Sequence, residues 1–357
     1  MIEARLKCLR DLMAEERLDA VLVTKYVNLQ YFSGFRGDDT SLVITKDRAL
    51  LVTDSRYTEQ AARQAPLFEI VRQASGLWKQ TAECVKSLGC RSVGFEGNGL
   101  LYRDYAKLSG FLKDREFQKA LDLDELRQIK DAEEISCIRR ACEIADKAFS
   151  QVLGFLRPGL SEIQVAAYME NCMRGLGSER PAFTTIVASG ERGSLPHGVA
   201  TEKLIVAGEF VTMDYGAVYG GYHSDITRTV CVGTADERQR SVYHEVLEAQ
   251  LLALRSIRPG VSGRAVHEVA RASLEKAGLA EHFGHGLGHS LGLEIHEEPR
   301  LSPLSKCEAL KAGMLVTDEP GVYIPGWGGL RIEDTVLVTE TGGEPLTKSS
   351  KQLIEIN

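Results

Sequence analysis

The residues best able to do chemistry in this chain are acids and histidines in apolar or glycine-rich settings. Asp214 lies in VTMDYG and Asp225 in HSDITRTV; Glu319 lies in VTDEPG and Glu333 in RIEDTVLV. A carboxylate on a VT-type strand is costly to bury alone. Four brought together repel strongly unless positive charge lies between them. Two divalent cations would cancel that charge, and a close metal pair is a known hydrolytic device. The stretch GHGLGHSLGLEIHEEP, Gly284 to Pro299, adds His285, His289 and His296. Gly284, Gly286, Gly288 and Gly292 disfavour a helix there and permit close backbone approach and unusual dihedrals. The stretch is therefore expected to be a glycine-supported loop feeding a strand. HEEP also lacks the second histidine of a helical HExxH zinc site. Four carboxylates and one imidazole make an oxygen-rich set without thiolate. That set favours two divalent ions of the Mn²⁺ or Co²⁺ kind, with Zn²⁺ a further candidate, over a structural zinc site. His197, in SGERGSLPHG, lies in a loop punctuated by Gly and Pro. No cysteine sits in an electropositive Gly-rich turn, so a Cys nucleophile is disfavoured.

Each acid has a plainer reading. Asp225 could pair with Arg228, Glu333 with Arg331, and Glu319 could simply end a strand before Pro320. Recurrence outweighs these readings. RPGLSEIQVAAYME from Arg157 is echoed by RPGVSGRAVHEVAR from Arg258, and GEFVTMDYGAVY from Gly208 by GMLVTDEPGVY from Gly313. Asp214 then falls opposite Glu319, and Asp225 opposite Glu333. Two halves of about 100 residues each thus supply two carboxylates at equivalent places, a repeat that predicts a pseudo-twofold seam. Paired antiparallel strands would project the acids onto one face.

The segments upstream must carry this unit. Apolar runs AVLVT, SLVIT, ALLVT and SVGFE alternate with helical patterns at Ile2–Leu18, DSRYTEQAARQA, WKQTAECVKSL and YRDYAKLSGFLKD, which suggests an α/β layer. The segment LDLDELRQIKDAEEISCIRRACEIADKAFSQVLGFL reads as a long amphipathic helix stopped at Arg157-Pro158-Gly159. A boundary near residue 122 gives domains 1–122 and 123–357, and a chain of 357 residues suits two domains. The net charge of −7 argues against a nucleic-acid partner. The eight scattered cysteines fit reduced thiols in the cytoplasm. The charged, amphipathic N-terminus is unlike a signal peptide, and no apolar run is long enough to span a membrane.

Together these motifs resemble the pita-bread metallopeptidases, within them the Xaa-Pro branch (prolidase and aminopeptidase P). NLQYFSGFRG and ALLVTDSRYTEQA resemble that family's creatinase-like N-terminal α/β domain, and DELRQIKDAEEISCIRRA its linker helix. The resemblance implies an α/β (α+β) protein with a C-terminal pita-bread catalytic domain. It implies metal ligands Asp214, Asp225, His289, Glu319 and Glu333, with Asp214 on one ion, His289 and Glu319 on the other, and Asp225 and Glu333 between them. A hydroxide bridging the ions would attack the bond before proline, and Glu319 would shuttle the proton. His285 and His296 would stabilise the tetrahedral intermediate or anchor substrate, and His197 would contact substrate. Arg331 would position Glu333 or bind substrate, and Arg300 would clamp a free carboxylate. The expected substrate is a proline-containing di- or oligopeptide and the expected assembly a homodimer. The dipeptidase reading is preferred, with Xaa-Pro aminopeptidase as the alternative. Methionine aminopeptidase shares the ligands but lacks the N-terminal domain and His285. Creatinase is metal-independent, and non-catalytic pita-bread modules usually lack ligands.

Overall fold

The computed structural model describes residues 1–356. They form two compact units, Met1–Arg127 and the rest from Gln128 onward. The first unit runs α1 (Ile2–Glu15), β1 (Ala20–Val23), α2 (Tyr26–Ser33), β2 (Ser41–Thr45), β3 (Ala49–Thr53), α3 (Thr58–Gln64), β4 (Glu69–Arg72), α4 (Leu77–Ser87), β5 (Ser92–Glu96), α5 (Tyr102–Phe111) and β6 (Glu116–Leu121). Its mixed sheet has the order β4-β3-β2-β1-β5-β6. The four apolar runs become β1, β2, β3 and β5, and their side chains are mostly buried. The sequence reading lacks β4 and β6. Both are edge strands in which polar residues interrupt the apolar ones, EIVR and EFQKAL, so neither carries an apolar run.

The second unit contains α6 (Ala132–Phe155), α7 (Glu162–Gly175), β7 (Ile186–Ser189), β8 (Glu209–Tyr215), β9 (Val218–Tyr219), β10 (Tyr222–His223), β11 (Ile226–Val232), α8 (Glu237–Ser256), α9 (Gly263–Lys276), β12 (Gly288–Ser290), β13 (Glu297–Leu301), β14 (Leu315–Asp318), β15 (Gly321–Ile324), β16 (Gly328–Arg331), β17 (Asp334–Val338), β18 (Gly343–Pro345) and β19 (Glu355–Ile356). The amphipathic segment from Leu121 is helical only from Ala132. Asp131 accepts from the backbone N–H of Glu133 and Glu134, and Glu134 reaches back to the Asp131 N–H, a capping box that fixes the start. No helix among the described residues is long and apolar enough to cross a membrane.

The internal repeat is a backbone fact. Ser161 caps α7 and Ser262 caps α9. Gly159 and Gly260, in the two RPG turns, have φ of 87° and 86°; Gly208 and Gly313, before β8 and β14, have 89° and 88°. Only glycine takes that left-handed conformation without strain. One apolar cluster joins α6 and α7 to β7, β8 and β11 through Ile144, Met169, Val211, Met213 and Val230. A second joins α8 and α9 to β14–β17 through Val246, Leu274, Val316, Leu330 and Val336. β8 pairs antiparallel with β11, and β14 with β17. The two pairings differ in register: Asp214 faces Thr227, whereas Asp318, just before Glu319, faces Asp334, just after Glu333.

The halves meet where β11 runs beside the Arg331–Thr335 segment, and the bonds there are reciprocal. Thr227 Oγ1 donates to Glu333 Oε2 at 2.6 Å, and Glu333 N donates to Thr227 O at 3.1 Å. In the mirror position Thr335 Oγ1 donates to Asp225 O at 2.8 Å and accepts from Asp225 N at 3.3 Å. Beneath this seam Arg228 does not pair with Asp225. Its guanidinium donates to Asp334 Oδ1 at 2.7 Å, to the Glu333 carbonyl and to Ser349 O at 2.8 Å. Arg228→Met removes a fully buried cation from an acid and several carbonyls. We expect a loss of about 3–5 kcal/mol of stability, measured as a lowered urea midpoint for the second unit.

Candidate active site

A cavity of about 650 Å³ opens in the second unit, and every site residue expected from the sequence lines it: Asp214, Asp225, Glu319, Glu333, His197, His285, His289, His296, Arg300 and Arg331. The acids come from strand ends, where the sheet stops and side chains reach open space. Asp214 lies near the end of β8, Asp225 just before β11, Glu319 just after β14 and Glu333 between β16 and β17.

One carboxylate oxygen from each of Asp214, Asp225 and Glu333 lies within 4.8 Å of the others. Asp225 is 5% exposed and Glu333 1%. Three buried oxygens of this cluster have no hydrogen-bond partner: Asp214 Oδ1, Asp225 Oδ1 and Glu333 Oε1. Burial pushes the Asp225 carboxyl well above its ordinary range, and neighbouring Glu333 and Asp214 push it further. Burial does the same to Glu333, followed by Glu319 and Asp214. Converging orphaned carboxylate oxygens are what a cation would satisfy.

His289 makes the same point from the other side. Its Nδ1 donates to Ser290 O at 3.0 Å, which leaves Nε2 as a lone pair. That lone pair faces acids, with Nε2 3.4 Å from Glu319 Oε1 and 3.6 Å from Asp225 Oδ2. Burial lowers the pKa of this ring, which favours the neutral form. A neutral nitrogen and carboxylate oxygens have no proton to share, so a metal ion between them fits the donors. Glu319 is oriented by Thr317, whose hydroxyl donates to Oε1 at 2.8 Å and accepts from His289 N at 3.0 Å. The Gly288 backbone lies on the same threonine, and a Cβ at Gly288 would sit 2.0 Å from Thr317 O. The glycine loop thus supplies close approach, as expected. It does not supply unusual dihedrals: Gly284, Gly286, Gly288 and Gly292 are absent from the positive-φ residues. The segment is a loop with the short strand β12 and then β13, not a helix.

Arg331 is committed to the protein rather than to the cavity. It donates to Asp214 Oδ2 at 2.6 Å, to Thr227 Oγ1 at 3.0 Å and to Tyr323 Oη at 2.7 Å. It therefore orients Asp214 directly and Glu333 only through Thr227. Tyr323 continues the chain: its hydroxyl donates to His285 Nε2 at 2.9 Å, while His285 Nδ1 donates to Gly286 O at 2.7 Å. Both nitrogens of His285 are thus engaged. His296 and His197 differ, because both rings are exposed toward the cavity. Burial, then His289 and Arg300, hold His296 down to a pKa of about 4, so its ring is neutral at physiological pH. Arg300 is more than half exposed and lies 3.4 Å from Glu298. The sequence reading did not single out Tyr323 or the hydroxyls of Thr227, Thr317 and Thr335. The recurring acid-x-Thr spacing, DIT and EDT, was the available signal.

Asp225→Asn removes one charge from this cluster. The variant should bind less divalent metal by elemental analysis. Its metal-free form should melt higher than metal-free wild type, because one of three mutually repelling buried charges is gone.

Residues 136–340 match the model of metallopeptidase family M24, and residues 5–129 match the Creatinase/Prolidase N-terminal domain. A Xaa-Pro dipeptidase of Pyrococcus furiosus is 41% identical over 360 residues, covering 99% of this chain and 100% of that protein. A Xaa-Pro dipeptidase from Bacillus anthracis superposes with a TM-score of 0.97 at 44% identity, covering 99% and 100% of the two chains. An X-Pro aminopeptidase from Thermotoga maritima superposes with a TM-score of 0.92 at 35% identity, with the same coverage. The orphaned carboxylates at the seam of a repeated unit, carried by a chain that matches these proteins end to end, make this protein a member of metallopeptidase family M24 with a creatinase-like N-terminal domain.

Proposed function

We propose that the protein hydrolyses the Xaa-Pro bond of short peptides as a dipeptidase. The observation that carries this reading is the convergence of orphaned carboxylates, a neutral His289 nitrogen, two open imidazoles and Arg300 on one cavity. Asp214, Asp225, His289, Glu319 and Glu333 would hold two divalent cations, with oxygen donors favouring manganese over cobalt or zinc. When bound, such ions polarise a carbonyl and acidify water at the site. The remaining work falls to the side chains. Glu319, held at Oε1 by Thr317, has Oε2 free to take a proton and return it to the leaving nitrogen. His296 and His197 stand at the open side, where an imidazole can donate to developing negative charge or to the leaving imide. His285, tied at both nitrogens, offers its ring as wall and anchors Tyr323.

Proline lacks the amide N–H that strand-reading peptidases use, so recognition must come from shape. Phe183, Ile186, Val199 and Ile295 provide apolar wall in the same cavity. A dipeptide also presents its free carboxylate beside the ring. Arg300 is the exposed cation available for it, and its present partner Glu298 is an exposed carboxylate that a substrate can replace. Exposure favours this role for Arg300 over Arg331, which is already held by Asp214. The cavity volume favours a second reading, an Xaa-Pro aminopeptidase acting on longer peptides, because 650 Å³ exceeds the needs of a dipeptide. We place the protein in the cytoplasm, supported by eight free cysteines. We infer a homodimer from the exposed apolar side chains Leu195, Val199, Leu204 and Val206.

Incubation with Ala-Pro and Ala-Pro-Ala tests the assignment. We expect cleavage of Ala-Pro after loading with Mn²⁺, and cleavage of the tripeptide alone would establish the aminopeptidase instead. Glu319→Gln should keep the fold and lose at least about a hundredfold in kcat, since the proton carrier and a ligand charge vanish together. Wild-type turnover in that variant would refute its role. Light scattering of the eluting protein should give twice the chain mass of 39.3 kDa.

A further inference from the structure

The ring of His296 has no hydrogen bond among the described residues. Its one ring contact is His289, with 4.4 Å between centroids. What holds it in place must therefore act through the backbone. The next residue, Glu297, turns inward and is 8% exposed. Its Oε2 accepts from Lys130 Nζ at 2.9 Å, with side-chain exposures of 4% and 0%. Its Oε1 accepts from Glu294 N at 3.2 Å. The same carboxylate packs on Gly292, where a Cβ would lie 2.8 Å from Oε2. Gly292 O in turn accepts from both His223 N, at 2.8 Å, and His223 Nδ1, at 3.0 Å. The bend between β12 and β13 is thus folded around one buried carboxylate. Lys130, 167 residues earlier, fixes that carboxylate. Lys130 is itself rigid: its N–H donates to Gly313 O at 2.9 Å, and it precedes the Asp131 cap of α6.

A buried ion pair contributes little net stability, since apolar replacements of both partners are often neutral or better. Stability of the fold therefore does not explain Lys130 and Glu297. Their geometry does, because the pair sets where the bend ends and so where the following imidazole stands. We infer that Lys130 and Glu297 are positioning residues for His296, fixing its ring in the cavity and thereby the step it assists. The inference rests on the role given to His296 above.

Lys130→Met alone takes the ammonium away from the buried Glu297 carboxylate, so misfolding could confuse its effect. The informative variant is Lys130→Met/Glu297→Gln, which removes both charges and keeps an acceptor for Glu294 N. Relative to wild type we expect its thermal midpoint to be retained, its metal content unchanged, and its kcat on Ala-Pro about tenfold lower with KM within about twofold. In a His296→Ala background the same pair of substitutions should change kcat by less than about twofold, because the group being positioned is gone. Equal losses in both backgrounds, or wild-type kcat in the double variant, overturn the inference. A His296→Ala protein with full turnover overturns the assigned role of His296 instead. A readout independent of activity completes the test: ring ¹⁵N signals of His296 in the metal-free protein should move in the double variant while those of His244 stay. An unmoved His296 signal sinks the inference even if the wild type cleaves no Xaa-Pro peptide.

Discussion

Mutual repulsion among buried carboxylates is the constraint around which the second unit is built. Asp214, Asp225 and Glu333 bring like charges within 4.8 Å of one another at largely buried positions. In such surroundings Coulomb energy is several-fold larger than at a surface. The fold tolerates this because many other bonds fix the strands that carry the acids. Threonine hydroxyls hold Glu319 and Glu333 by one oxygen each, and Arg331 holds Asp214 by one. The second oxygens of Asp214 and Glu333 stay orphaned, as does one of Asp225. A protein meant only to be stable would satisfy them; one that receives cations leaves them open.

The repeat solves this problem twice with different materials. Strand alternation places the neighbour of each acid on the opposite face. In the first half those neighbours are Met213 and Ile226, and both lie in an apolar cluster with α6 and α7. In the second half they are Asp318 and Asp334, which lie directly across from each other. Gln250 Nε2 bridges the two at 3.1 Å each, and Arg228 and Lys351 balance the charge on Asp334. Asp318 keeps a raised pKa through burial and Asp334. The site therefore rests on packing on one side and on a polar network on the other. The network also ties in the C-terminal segment, since Arg228 binds the carbonyls of Ser349 and Ser350.

Function follows from a division of labour among the imidazoles. His289 is locked by Ser290 with its lone pair inward, and His285 is closed off by Tyr323. His296 and His197 remain open to the cavity. Rigidity is thus concentrated where cations would bind. The bend that carries His296 is pinned from outside the site, through Glu297 and Lys130.

The chain by itself determined the acids and imidazoles of the site, the two halves and their equivalence. Periodic apolar runs, RPG turns and recurring acids are local features, and local sequence suffices to write them. Glycine positions likewise announced a loop at Gly284–Gly292, although not that its purpose was approach rather than unusual dihedrals. The tertiary structure decided which oxygens stay orphaned, which face of His289 points inward, and that Arg331 serves Asp214 while Arg228 serves Asp334. It also decided that Lys130 reaches Glu297 across 167 residues. These are choices among partners of similar chemistry. Sequence spacing cannot make them, because the partners become neighbours only when two cores pack and their strand registers, which differ between the halves, are fixed.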